Sequence, residues 1–592
     1  MESRELARRT ARAGLVGGIL IIFLGMVGMI EKFDSRNLID SVVTLGKVML
    51  AIPPFLAAYL AVRPRVRGGR MEGLTAAQSF LVGVGTGGLA GGLTIAAVAF
   101  THLFPAGAVR RIFVSVSPTL LSILTWGKGL PPAAVISILG GAALGAAGVG
   151  LRVLPDRYRR PLVTGLIATF TVAMLQRIIP QILDNLGLTR DWLYSSAFLG
   201  LTRLGAVLVF VLSTGFGAVW TWKRADVRRR VDALPDEGRK ALGGVGLMAL
   251  ILVLAVLPPL LGSSLSQVLG TVGIYLLMGL GLNIVVGYAG LLDLGYVAFF
   301  AVGAYFTALF TGASLVTSLG EQVPPAFVLH LNFYVAIPLV ILVAAFTGLL
   351  IGAPVLRLRG DYLAIVTLGF GEIARILITS DWLKHFVGGA QGLQHVTDAH
   401  IAGISFRNPQ PFFYLVLAFC ALAVYISWRL AGSRVGRAWN AMREDEQVAE
   451  VMGISTIKYK LLAFAIGASV GCLSGALFAV QIGSLTPTSF NVLVSITALA
   501  IIILGGMGSI PGVVLGALVL IGLPGLLTEF EEFRLLIYGG VLVAIMILRP
   551  QGLIPNIRRM RELHEEEVEQ DAWAKATGGD ATVVVGTAGG AE

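Results

Sequence analysis

The chain has 592 residues, of which 56% are hydrophobic and 13% charged, and its mean hydropathy is +0.83. A soluble domain carries charge on roughly a quarter of its residues, and a membrane-spanning helix takes about 20 mostly apolar ones. The apolar side chains here would fill on the order of sixteen spans and are spread along nearly the whole chain, which excludes both a soluble globular protein and a single-anchor protein.

The net charge is +11, but residues 549–592 hold 5 basic and 8 acidic side chains, leaving +14 for everything before them. In so apolar a chain such an excess marks cytoplasmic loops rather than a nucleic-acid surface. Cys420 and Cys472 both lie in apolar runs and read as small buried hydrophobes, not a disulfide. The 75 glycines permit close backbone approach between membrane helices.

At the N-terminus Arg4, Arg8, Arg9 and Arg12 precede an apolar run over 13–30. The run is longer than a usual signal core and no small-x-small cleavage site follows, so an uncleaved first span is expected. Further spans are predicted at 42–62, 79–104, 131–153, 161–183 and 197–222, with 112–126 a short re-entrant or interfacial piece. Every second loop is arginine-rich: the N-terminus, RPRVRGGR (63–70), 152–160 with Arg152, Arg157, Arg159 and Arg160, and KRADVRRR (223–230). That alternation places both ends of a six-span N-terminal region, residues 1–240, in the cytoplasm. Lys47 and Arg177 fall near the outer ends of their spans, where snorkelling accounts for them.

The second part, 241–556, offers ten candidate spans: 241–261, 266–287, 296–312, 333–355, 362–378, 411–428, 459–481, 494–506, 511–526 and 534–548. Several are short or interrupted by Gly, and backbone freed in that way must face protein or a water-filled cavity. Two extramembrane segments stand out, 379–410 outside and the charge-rich 429–458 inside. Residues 557–592 are acidic, then rich in Gly, Ala and Thr, and read as a disordered cytoplasmic tail. The expected fold is therefore an all-α polytopic membrane protein of about 16 transmembrane helices, six and then ten.

No catalytic constellation or metal-ligand pattern appears among His102, His330, His385, His395, His400 and His564, and no cofactor is called for. There is also no G-x-x-x-x-G-K-[ST] loop, so any ATP that drives this protein is hydrolysed by another chain. Intramembrane charge is sparse. Asp293 sits in the break GLLDLG, Asp361 opens the span 362–378, and Glu372 and Arg375 are spaced to pair on one helix face. Ion-coupled carriers commonly place carboxylates inside the bilayer, and little of that machinery is present.

The cytoplasmic stretch SRVGRAWNAMREDEQVAEVMGISTIKYK (433–460) has helix-forming composition from Arg437 to Met452, with Gly453 as a stop. The consecutive charges Arg443, Glu444, Asp445 and Glu446 cannot sit in lipid, and Trp439, Met442, Ala449 and Met452 fall roughly on one side. A surface linker and a docking helix for a partner are equally compatible with these residues.

Five segments carry a resemblance: GLNIVVGYAGLLDLGYVAFFAVGAY (281–305), RLRGDYLAIVTLGFGEIARIL (357–377), GRAWNAMREDEQVAEVMGIS (436–455), ALAIIILGGMGSIPGVVLGA (498–517) and ILRPQGLIP (547–555). In this order they resemble the LivM-like permease subunits of branched-chain amino-acid ABC transporters, over about 250–555. The resemblance implies a bacterial inner-membrane importer subunit, not an enzyme. It also implies a second homologous permease subunit, two cytoplasmic P-loop ATPase subunits and an extracytoplasmic substrate-binding protein as partners, with the lipid bilayer around them and no nucleic acid. The family's cytoplasmic coupling segment maps to Glu444, Asp445, Glu446, Ala449, Glu450 and Gly453, flanked by Arg443. The expected translocation pathway runs by the broken segments with Gly287, Gly290 and Asp293, by Gly505 and Gly508, and by Asp361 and Glu372. Urea and short-amide importers share this permease type, and the alternative class is an ion-coupled secondary transporter acting alone. Residues 1–240 lie outside the recognised motifs.

Overall fold

The computed structural model describes residues 3–554 except 41, 64, 68–69, 73, 105–110, 112, 114, 177, 196–199, 233–235, 317–321, 356–357, 359, 402, 527–531 and 549–551. The acidic tail expected at 557–592 and Arg177 thus lie outside the described residues. The chain divides into two compact units, Met1–Leu252 and Val253–Glu592.

The first unit contains α1 (Ser3–Met26), α2 (Met29–Asp34), α3 (Leu45–Ala61), α4 (Ala76–Thr101), α5 (Pro118–Leu124), α6 (Leu130–Val153), α7 (Asp156–Met174), α8 (Ile178–Asn185) and α9 (Arg203–Asp232). Local chemistry sets several ends. Thr75 and Gln78 form a reciprocal capping box at the start of α4, and Ser117 caps α5 through the amide of Leu120. α5 has only seven residues, too few to cross a bilayer, as expected for the piece at 112–126. One sequence boundary moves: the basic stretch 223–230, expected as a loop, continues α9 to Asp232, because Lys, Arg and Ala are strong helix formers.

The tightest packing in this unit joins α4 to α6. Gly83, Gly87 and Gly91 recur every fourth residue on one face of α4. A Cβ on Gly87 would fall on the carbonyl of Gly141, one on Gly91 on that of Ser137, and one on Gly83 at 2.8 Å from that of Gly145. Small residues at this spacing let two membrane helices approach until backbone touches backbone, and dispersion then supplies the attraction that lipid-facing apolar burial cannot.

The second unit holds most of α10 (Asp236–Leu282), a π-helical turn at Asn283–Tyr288, α11 (Val297–Thr311), α12 (Phe333–Val355), α13 (Asp361–Thr379), α14 (Lys384–Val387), α15 (Pro409–Gly432), α16 (Arg434–Glu444), α17 (Glu446–Val451), α18 (Thr456–Ile482), α19 (Val492–Gly505), α20 (Ile510–Ala517), α21 (Leu523–Leu526) and α22 (Arg534–Leu548). The spans expected at 241–261 and 266–287 form one element, α10, broken at Gly262, where φ is 74° and Pro258 and Pro259 have already removed two backbone donors. α11 and α18 form the centre. Phe300, Phe478, Phe490 and Tyr305 pack as an aromatic cluster with centroids 5.0–6.0 Å apart, and the Cys472 thiol donates to the Phe299 carbonyl at 2.9 Å. Both cysteines are free and buried. A Cβ on Gly303 would strike the backbone of Cys472, and one on Gly475 the carbonyl of Phe300.

Among the described residues nine helices are long and apolar enough to span a membrane, and the bent pair α7–α8 makes a tenth. Four shorter apolar helical stretches add to these, Leu45–Ala61, Val297–Thr311, Val492–Gly505 and Ile510–Leu526. The protein is an all-α polytopic membrane protein.

The α4–α6 contact is testable. Gly87→Val inserts a branched side chain where the Gly141 carbonyl already lies. Overpacking of this kind costs about 1–3 kcal/mol, so the melting temperature of the purified protein should fall by several degrees, whereas Gly140→Val, with open space around it, should leave it unchanged.

Candidate functional site: two broken helices tied to a surface segment

The π-helical turn 283–288 and the irregular stretch 289–296 free a series of backbone groups inside the apolar part of the chain. Several of them have specific partners. Asn283 is fully buried, and its side-chain oxygen accepts from the Gly508 amide at 2.8 Å. Arg443 donates from its guanidinium to the Gly287 carbonyl. Thr367 accepts from the Leu294 amide at 3.0 Å, Asp293 from Gly295 at 2.9 Å and Ser495 from Val297 at 2.8 Å. The Tyr296 hydroxyl donates to the Gly467 carbonyl at 2.6 Å.

The second break, 506–509, lies against the first. Gly506 and Gly508 have φ of 117° and 80°, backbone that only glycine adopts freely. Gly505 packs on the Gly512 backbone, while Leu553 and Ile554 donate amides to the carbonyls of Leu504 and Gly505, both at 2.9 Å. Gly287 has no room for a side chain, because a Cβ would meet Asn283 and, at 2.7 Å, the Gly508 nitrogen. Gly290, at φ 73°, lies under Arg443, whose Cγ would be 2.8 Å from an added Cβ.

The charged segment is not the single helix expected from Arg437 to Met452. It is α16 followed by α17, with Asp445 extended between them and its carboxylate accepting from the Gln447 and Val448 amides at 2.8 and 3.0 Å. The reason is local: an Asp side chain that competes for backbone amides favours a cap over a helix interior. Gly453, at φ 86°, ends α17 as expected. Trp439, Met442 and Ala449 are buried, and Trp439 donates to the Tyr459 carbonyl at 2.8 Å. Met452, expected beside them, is exposed with Val448 and Val451, since the break rotates α17 relative to α16.

The acidic residues divide. Glu444, Asp445 and Glu450 face outward. Glu446 turns inward to Lys460 at 2.6 Å, with only 5% of the lysine side chain accessible. The result is a two-faced surface segment with an acidic and apolar outer side, and Arg443 on its inner side reaches the first break.

Other expected site residues stand elsewhere. Asp293 is buried, with one carboxylate oxygen unpartnered. Glu372 and Arg375 form the i,i+3 ion pair expected of them, Nε to Oε1 at 2.9 Å, on a half-exposed face of α13. Asp361 starts α13. Of the loop histidines, His395 meets Ser314 at 3.2 Å and His400 the Asp398 carbonyl at 3.0 Å. Among the described residues no group of three His, Cys, Asp or Glu is placed to hold a metal.

Sequence reasoning missed two features. One is Asn283, which joins the breaks; a lone Asn in an apolar run was its signal. The other is a cavity of about 480 Å³ in the second unit. Val268, Tyr275, Phe478, Leu493 and Ile521 give it apolar walls, and Thr271, Asn491 and Thr497 place polar groups on it.

A bundle of membrane helices with paired internal breaks and a two-faced surface segment defines a multi-pass permease-type transport protein. The comparisons agree. Residues 264–548 match the family described as branched-chain amino acid transport system / permease component. The chain is 40% identical over 337 residues to the high-affinity branched-chain amino acid transport system permease protein LivM of Escherichia coli, covering 53% of this chain and 75% of that one. The LivM of Salmonella typhimurium is 38% identical over 340 residues, 54% of this chain and 76% of that one. A probable LivM of Methanocaldococcus jannaschii is 26% identical over 329 residues, 49% and 93%. The Escherichia coli LivH permease protein is 30% identical over 148 residues, 24% of this chain and 46% of that one. No solved structure matches the chain. This chain belongs to the branched-chain amino acid transport system permease family, and it is a transporter component.

The Asn283 bridge predicts a sharp effect. Asn283→Leu removes the side-chain oxygen that accepts from the Gly508 amide, a hydrogen bond worth about 1 kcal/mol. The melting temperature should drop accordingly, and hydrogen exchange at 505–509 should accelerate over that at 297–311.

Proposed function

We propose that this chain is the membrane subunit of an ATP-driven importer for branched-chain amino acids in a bacterial inner membrane, both termini cytoplasmic. Its partners are a second related permease, two cytoplasmic P-loop ATPases and an extracytoplasmic binding protein. The observation that carries this reading is the two-faced segment 434–453. Its outer side, with Glu444, Asp445, Glu450, Val451 and Met452, offers a partner both charge and apolar area. Its inner side holds the carbonyl of a broken helix through Arg443.

On this reading ATP binding closes the partner ATPases, and the segment, moving as a body on Trp439, Met442 and Ala449, shifts the tied breaks from one packing arrangement to another. Gly287 and Gly508 permit the close approach between the two breaks, Gly505 packs the second on Gly512 and Gly290 seats the first under Arg443, with Asp293, Asp361 and Glu372 on the adjoining backbone and helix. The solute passes by the cavity at Thr271, Asn491 and Thr497, whose apolar walls suit a branched side chain and whose few polar groups suit weak, transient contact with a zwitterion. Affinity then comes mainly from the binding protein. Residues 241–556 form this permease core, and 1–240 are an accessory membrane region.

Two expectations test the proposal. In proteoliposomes containing all subunits, Glu444→Lys with Glu450→Lys should reduce ATP-driven leucine uptake at least tenfold and leave the melting temperature within a degree or two, because both side chains face outward. Uptake driven by an ion gradient without ATPases would instead establish the secondary-transporter class. Glu446→Ala should behave differently: removing one partner of a buried ion pair costs about 3 kcal/mol or more, so the protein itself should lose thermal stability.

A further inference from the structure

At one end of the first unit α1 and α3 enclose a cavity of about 430 Å³ that the transport reading does not use. Its polar rim is Glu5, Arg8, Arg9 and Arg12, and its walls are Ala13, Val16, Ala57, Leu60 and Ala61. Three guanidinium groups face one carboxylate, so the rim is strongly positive.

Arg9 is the anomaly. Its side chain is only 4% accessible, and its single ion pair is Nη2 to Glu5 at 3.2 Å. The remaining nitrogens, Nε and Nη1, are buried without a hydrogen-bond acceptor. A guanidinium so placed lacks the acceptors that its fork geometry is built to meet in pairs, and an oxyanion is the natural complement. Arg8 and Arg12 stand exposed on either side. Arg152, the nearest basic group on α6, is already engaged with the Tyr59 hydroxyl at 3.1 Å and stacks on its ring.

The apolar wall decides between sources of the anion. Below the arginines α1 becomes wholly apolar, and Val16 and Leu60 remain 65% and 42% exposed. A free phosphate would leave this wall bare, while an anionic phospholipid would set its phosphate on the arginines and its acyl chains along Val16 and Leu60. Basic pockets between membrane helices at the cytoplasmic face bind lipid headgroups for this reason.

We propose that the α1–α3 cavity is a specific binding site for an anionic phospholipid, with Arg8, Arg9 and Arg12 holding the headgroup phosphate. The full chain, purified in detergent, would be titrated with mixed micelles containing phosphatidylglycerol or phosphatidylcholine and followed by native mass spectrometry and thermal melting. Phosphatidylglycerol should be retained at least tenfold more tightly and should raise the melting temperature. Arg8→Gln and Arg12→Gln, at exposed positions that keep the packing, should each weaken it by about fivefold, the value of one basic side chain near a membrane surface. Arg9→Gln should abolish the preference. Equal retention of both lipids, or unchanged phosphatidylglycerol binding in the two exposed variants, would overturn the site. Protection by millimolar inorganic phosphate that displaces the lipid would overturn the lipid assignment in favour of a free anion.

Discussion

The second unit is governed by the cost of an unpaired backbone group in an apolar surrounding. Lipid offers neither donors nor acceptors, so a helix can be broken there only where protein supplies them. The chain is broken at 283–296 and again at 506–509, and the solution is shared. Asn283 carries the Gly508 amide, Arg443 the Gly287 carbonyl, and Thr367, Asp293 and Ser495 the amides of Leu294, Gly295 and Val297. These donors and acceptors come from the π turn itself, the break, α13, α16 and α19. Elements far apart in sequence are therefore fixed by the same small set of bonds, and no one of them can move alone.

That arrangement is the physical basis of the coupling proposed for the segment 434–453. The bond from Arg443 on the surface segment to the Gly287 carbonyl inside the broken helix is charge-assisted, and it holds α16 against the break. Glycine is the other half of the device. Gly287 brings its backbone against the Gly508 nitrogen and Gly505 against the Gly512 carbonyl, while Gly290 makes room for the Arg443 side chain. The first unit uses the same means for a static end, since Gly83, Gly87 and Gly91 lock α4 on α6 with no irregular backbone to release.

Much of this was legible from residues alone, and the failures are local. Apolar runs located the long helices because so many consecutive apolar positions have no other use, but helix-forming charged residues carry α1 ten residues before its run and α9 ten residues beyond it. The i,i+3 spacing of Glu372 and Arg375 announced their pair. The segment 437–452 was misread as one helix because helix propensity is a weak prior, and an Asp that can cap outweighs it at Asp445. The burial of Trp439, Met442 and Ala449 followed from their stripe, but the exposure of Met452 did not, since a single break changes the phase of everything after it.

Sequence by itself determined that this is a polytopic helical membrane protein and that its family is one of branched-chain amino-acid permeases. Composition and ordered motifs are properties of the string. Only the tertiary structure decided that Gly287 and Gly508 meet, that Glu446 serves Lys460 while Glu444 and Glu450 face outward, and that Arg9 is a buried cation short of acceptors. Those facts depend on which groups are left unpaired once helices pack, and bonds such as Arg443 to Gly287 and Gly508 to Asn283, across 156 and 225 residues, cannot be read from spacing along the chain.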